Sequence, residues 1–156
     1  MRYTFLYTCI MQELPKFCER LSELMFYADN ITADKLGKVL NLGGSTIRQW
    51  RAGKRSPTFF NALRLAEYFG CSLDYLAGRI DDDIKFTPQP ILPFHERLLY
   101  ILNERGLTWY KVVKDTKISI SNIHDWRSGS SPLLPRLIEL ADYLDVTLDY
   151  LVGRDR

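Results

Sequence analysis

Residues 31–57 read ITADKLGKVLNLGGSTIRQWRAGKRSP. Thr32 has the chemistry of a helix N-cap, and Leu36, Val39 and Leu40 form an apolar stripe at helical spacing. Asn41, among the few non-glycine residues that tolerate a left-handed backbone, reads as a turn, with Leu42 plugging that turn into the core. A second helix begins near Gly44-Ser45, buries Ile47 and Trp50, and ends at Gly53. Lys54 and Arg55 follow in a basic loop closed by Pro57.

The same grammar returns at Leu107–Pro132, LTWYKVVKDTKISISNIHDWRSGSSP, and the repeat extends beyond it. Phe17-Cys-Glu-Arg-Leu21 matches Phe94-His-Glu-Arg-Leu98, and Trp50-Arg-Ala-Gly53 matches Trp126-Arg-Ser-Gly129. Leu73-Asp-Tyr-Leu-Ala-Gly-Arg79 matches Leu148-Asp-Tyr-Leu-Val-Gly-Arg154. Two single-residue gaps in expected loops align the copies, so the chain is an internal duplication.

Working outward, Pro15 suits the first turn of a helix reaching Tyr27, with Leu21, Leu24 and Met25 inward and Asp29-Asn30 as its breaker. Pro57 is placed to open a fourth helix burying Leu63, Ala66 and Phe69, and Ser72 to cap a short fifth, Leu73–Ala77. In the second copy helices are expected near Pro93–Glu104, Trp109–Thr116, Ile120–Arg127, Pro132–Leu144 and Leu148–Val152, with Thr108 and Thr147 as caps. The predicted fold is all-α: two tandem five-helix domains, 15–79 and 94–156, after an arm at 1–14. Ile80–Pro93, with three aspartates and three prolines, is predicted to be an extended, hydrated linker.

Composition narrows the function classes. Hydrophobic residues make up 46% and charged residues 26% of the 156, which suits a soluble globular protein. No apolar run approaches the ~20 residues of a membrane span. Met1–Leu14 is largely apolar but lacks a small-residue cleavage site, so it is expected to be an arm on the first domain, or to precede an alternative start at Met11, rather than a signal peptide. Cys9, Cys18 and Cys71 show no metal or disulfide spacing and suit a reducing cytoplasm. The net charge of +2 is unevenly divided: residues 1–79 carry 11 Lys/Arg against 7 Asp/Glu, residues 80–93 sum to −2, and residues 94–156 carry 9 of each. A polyanion is therefore expected on the first copy.

The combination of Ile31-Thr32, Leu36, Leu42, Ser45-Thr46-Ile47, Trp50, Gly53-Lys54, Pro57 and the closing Leu73-Asp-Tyr-Leu76 resembles the Cro and phage-repressor (XRE-type) helix-turn-helix regulators, over residues 15–79 and again over 94–154. The resemblance implies double-stranded DNA as partner. It puts base reading at Gly44, Ser45, Thr46, Arg48 and Gln49, and phosphate contacts at Thr32, Ala33, Arg51, Lys54 and Arg55. The chemistry is apt: arginine donates twice to guanine and glutamine pairs twice with adenine. The matching residues of the second copy are Ile120, Ser121, Asn122, His124, Asp125 and Arg127, with Ser130-Ser131 in the loop. It keeps the motif but loses the positive charge, and Asp125 would repel phosphate, so the second copy reads as a weaker DNA contact or as a homodimer or protein-contact module. Arg51-Ala52 and Arg127-Ser128 stand where the family often has Glu-Asn. The helix-one arginine that pairs with that Glu is also absent, its place taken by about Phe26 or by Leu102, which leaves Arg51 and Arg127 to face phosphate.

Trp50 and Trp126 fall on the buried side of their helices, so base stacking is not expected of them, and Tyr75 and Tyr150 are likewise read as core. Ser121, His124 and Asp125 share one short helix and cannot build a relay for a nucleophile. Gly53-Lys54 lacks the earlier glycine of a phosphate loop, and His95 and His124 have no zinc spacing. No enzyme, cofactor, metal or small-molecule ligand is expected. The sequence reads as a cytoplasmic, sequence-specific DNA-binding regulator acting by occupancy. The rival reading is a protein-interaction module, antitoxin-like or accessory, on the same fold.

Overall fold

A computed structural model describes residues 16–155; the expected arm and Pro15 lie outside the described residues. Ten helices are seen among them: α1 (16–27), α2 (Ala33–Val39), α3 (Gly44–Arg51), α4 (Phe59–Phe69), α5 (Leu73–Leu76), α6 (Phe94–Glu104), α7 (Trp109–Asp115), α8 (Ile120–Arg127), α9 (Leu134–Leu144) and α10 (Leu148–Val152). No strand occurs among the described residues. The chain divides into two compact units, the first ending at Lys85 and the second beginning at Phe86.

Helix starts follow side-chain chemistry. Thr32, Ser72, Thr108 and Thr147 each accept from a backbone N–H in the first turn, as expected of N-caps. Two further caps were not anticipated. Thr58 opens α4, so that helix starts after Pro57 rather than with it. Ser119 opens α8 in a reciprocal capping box with Asn122. α9 likewise begins at Leu134, two residues later than Pro132 suggested, with a proline inside its first turn.

In the first unit Phe17, Leu21, Leu36, Ile47, Trp50, Leu65 and Leu73 close one core. Trp50 and Trp126 are 3% and 5% exposed, as their helical positions demand. Four expected core positions differ, among them Leu24 of α1, which is only half-buried. Val39 lies at the free side of α2 and is 57% exposed, while Leu42 and Phe69 are only half-buried. Tyr75 and Tyr150 are also half-buried. Each ring lies under an arginine of the unit's first helix, Arg20 at 4.0 Å and Arg97 at 4.7 Å from the ring centroid. Arg97 further donates to the Tyr150 carbonyl at 2.9 Å.

Each unit ends on the same device. Asp74 pairs with Arg79, and Asp149 pairs with Arg154 at 2.7 Å. In the second unit both side chains are 4% exposed, so neither charge is balanced by water. The arginine N–H also bonds back to the aspartate carbonyl, at 2.9 Å in both copies. The connecting residues 80–93 carry no helix, but they lean on the units. The Asp83 carboxylate accepts from the Ser72 N–H at 2.9 Å and from Lys85 at 2.7 Å. Phe86 stacks under Arg154, and the Gln89 N–H bonds to the Arg154 carbonyl at 2.9 Å.

Candidate nucleic-acid interface

The geometry of the first unit is set by how closely α3 approaches α2. Gly37 is buried in α2; a Cβ there would lie 2.8 Å from the Leu42 carbonyl oxygen and 3.0 Å from the Gly44 nitrogen. A Cβ on Gly44 would lie 2.9 Å from the Asp34 Cα. Only glycine allows both approaches. Between the helices, Asn41 takes φ 51, the expected left-handed turn, and the Leu42 N–H closes it on the Gly37 carbonyl at 2.7 Å.

Ile47 and Trp50 fasten α3 to the core, which turns Ser45 and Arg48 outward and leaves Thr46 and Gln49 half-buried at the edges. Gly44, assigned to base reading by resemblance, is half-buried in the helix crossing, and only its backbone can contribute to a contact. Arg48 is held: its Nη1 lies 3.0 and 3.1 Å from the two carboxylate oxygens of Asp34. Arg51, exposed, donates from Nε to the Ser22 hydroxyl at 3.3 Å. Gly53, at φ 68, reverses the chain after α3. The Lys54 and Arg55 N–H groups then bond to the Gln49 carbonyl at 2.9 and 3.4 Å, carrying both exposed cations beside the end of α3. Thr32 is exposed, and its oxygen accepts the Lys35 N–H at 3.3 Å, so its hydroxyl proton stays available. Ala33 is buried and can offer only its backbone. Half-buried Cys18 donates to the Trp50 carbonyl at 3.1 Å, and burial pushes its thiol pKa up.

The second unit departs at the same places. Val113 stands where the first unit has Gly37, Ile120 where it has Gly44, and Tyr110 where it has Asp34. α7 and α8 consequently approach far less closely than α2 and α3. Thr116 is extended at φ −124, and no described residue of the connection 116–119 is left-handed. The Thr116 hydroxyl stands in for the missing turn bonds, donating to the Val112 carbonyl at 2.7 Å and accepting from the Ile118 N–H at 3.1 Å. The Glu139 carboxylate takes the Lys117 N–H.

Among the second-copy candidates, Asn122 is occupied by the α8 cap, where its Oδ1 accepts the Ser119 N–H at 3.1 Å. The Ser121 hydroxyl lies 2.7 Å from that of Ser119. His124, Asp125 and Arg127 are exposed. So are Ile120 at 61% and Tyr110 at 75%, two apolar groups where the first unit has glycine and a carboxylate. His95 stacks on Trp109 at 5.7 Å, its buried Nε2 without a hydrogen-bond partner.

Residue-by-residue reading missed Asp34 and the steric role of Gly37 and Gly44. The available signal was their joint replacement in the second copy. No helix among the described residues is long and apolar enough to cross a membrane. No curated protein and no solved structure matches the chain significantly. A sequence model of the helix-turn-helix family of Cro/C1 type matches it twice, over residues 28–76 and 98–151, which together span about two-thirds of its length. The two matches cover α2–α5 and most of α6–α10, and the chain therefore belongs to the Cro/C1-type (XRE) helix-turn-helix family of DNA-binding transcription regulators, as a tandem member.

Proposed function

We propose that the protein is a sequence-specific repressor acting by occupancy, in the cytoplasm, and that its first unit does the reading. α3 enters the major groove, with Arg48 and Gln49 contacting base edges and Ser45, Thr46 and the Gly44 backbone lining the approach. Thr32, the Ala33 N–H, Arg51, Lys54 and Arg55 hold the flanking phosphates. The observation that carries this reading is the contrast between units. Arg48, Arg51, Lys54 and Arg55 are exposed together beside a tight glycine-built turn, whereas the second unit offers His124, Arg127, Ser130 and Ser131 beside an open one.

A second reading concerns residues 94–156. The exposed Tyr110 and Ile120, and the commitment of Asn122 to a cap, favour a protein contact there, either a second copy in a homodimer or another partner, over base reading by Ser121, Asn122, His124 and Arg127.

Selection of bound duplexes from a random pool by the full chain tests both. One half-site, or a palindrome of it, is expected. Arg48→Ala with Gln49→Ala should erase the preference and leave weak, salt-sensitive binding, and His124→Ala with Arg127→Ala should leave the preference intact. An unchanged preference after the first pair, or two unlike half-sites, refutes the assignment.

A further inference from the structure

We infer that Asp34 is a specificity-determining residue, one that aims Arg48 and narrows what it reads to a G·C pair. The inference rests on the reading of α3 as the groove-facing helix. Three observations carry it. First, Arg48 Nη1 touches both Asp34 oxygens, at 3.0 and 3.1 Å, which fixes a long side chain that would otherwise sample many rotamers. Nε and Nη2 remain free to donate in parallel, the geometry that guanine O6 and N7 accept.

Second, both side chains are more than half exposed, at 56% and 68%. An exposed ion pair contributes little to stability, so folding is a weak explanation for it. Third, the Asp34 carboxylate stands directly against the first residue of α3, where a Cβ on Gly44 would fall 2.0 Å from its Oδ1. The helix crossing thus places a negative charge at the entry to the proposed groove contact, beside the residues that would meet the bases. In the second unit acid and arginine are replaced together, by Tyr110 and His124.

An unrestrained arginine donates to any base acceptor or phosphate. One held by Asp34 reaches fewer. The carboxylate also repels the phosphates, which carry no sequence to read. Asp34 therefore trades affinity for discrimination.

The test uses the full chain, its preferred duplex from random-pool selection, the same duplex with each G·C pair changed in turn, and a scrambled duplex. Affinities are measured for the parent, Asp34→Asn, Asp34→Glu, Arg48→Ala and the Asp34→Asn/Arg48→Ala double variant, with a thermal melt of each. Asp34→Asn should lower discrimination at one G·C position roughly tenfold, bind scrambled duplex as tightly or more tightly, and melt close to the parent. Asp34→Glu, which keeps the charge, should recover part of the discrimination. In the Arg48→Ala background Asp34→Asn should change that preference no further. An equal loss of affinity on every duplex, an unchanged preference, or an undiminished effect in the absence of Arg48 overturns the role of Asp34. Arg48→Ala keeping full preference would instead overturn the groove-facing assignment itself.

Discussion

Gly37→Ala separates local helix propensity from the packing that brings α2 against α3. In an open helix the change stabilises by about 1 kcal/mol, because alanine loses less backbone freedom on folding. At Gly37 the added methyl would meet the Leu42 oxygen at 2.8 Å, the Gly44 nitrogen at 3.0 Å and the Gly43 carbonyl carbon at 3.1 Å. All three are backbone atoms, so no side chain can swing aside, and the helices must separate. Overpacking of this kind costs typically ~1–3 kcal/mol, and a backbone obstacle belongs in the upper part of that range. The net expectation is a loss of about 1–2 kcal/mol, or a fall of roughly 4–16 °C in the melting temperature of the first unit. Val39→Ala is the control. It lies two residues along the same helix with its side chain 57% exposed, and it should be neutral or slightly stabilising, since a β-branched residue is replaced by the best helix former. The assay is thermal unfolding followed by far-UV circular dichroism. If Gly37→Ala melts at or above the parent temperature, the close approach of the helices is not what glycine provides there.

Asp149→Asn leaves the Arg154 guanidinium without its counter-charge in a site that is 4% exposed. A cost of about 3–5 kcal/mol is expected, larger than for Asp74→Asn because Arg79 keeps 17% exposure; urea denaturation giving the reverse order would refute this. Lys54→Ala with Arg55→Ala should weaken binding to all duplexes alike and flatten the salt dependence by up to ~2 units, which titrations across a salt series would register. Burial first, and the charge of Arg127 second, lower the pKa of His95. The unfolded chain therefore binds the proton more readily, so the second unit keeps its full stability above about pH 6.5 and loses some as pH falls from there to the folded value. His95→Gln should remove that slope in denaturation measured between pH 5 and 8, and a parent stability that rises on acidification would contradict the sign.

The helices and most of the core were legible because periodicity reports burial. Leu36, Ile47 and Trp50 lie where a 3.6-residue repeat puts them. Val39 failed because hydropathy cannot see that Gly37, with no side chain at all, occupies the inward side of α2. The charge difference between the copies could be counted directly. The difference in their turns could not, since exchanging Gly37 for Val113 hardly alters an apolar pattern yet decides whether two backbones can meet. The resemblance puts Arg48 among the base readers; that Asp34, fourteen positions earlier, holds it depends on a helix crossing no local window contains. Tyr75 and Tyr150 looked apolar by position, and only the fold reveals the arginines lying over them.

The closing ion pairs bear on where each unit can be cut. The family matches stop at residues 76 and 151, three residues short of Arg79 and Arg154. A fragment trimmed to those limits would retain Asp74 or Asp149, each nearly sealed from solvent, and discard its counter-charge. Each excised unit must therefore run past its last helix to the arginine, and a fragment ending at that helix is destabilised for electrostatic reasons, whatever its helices can do.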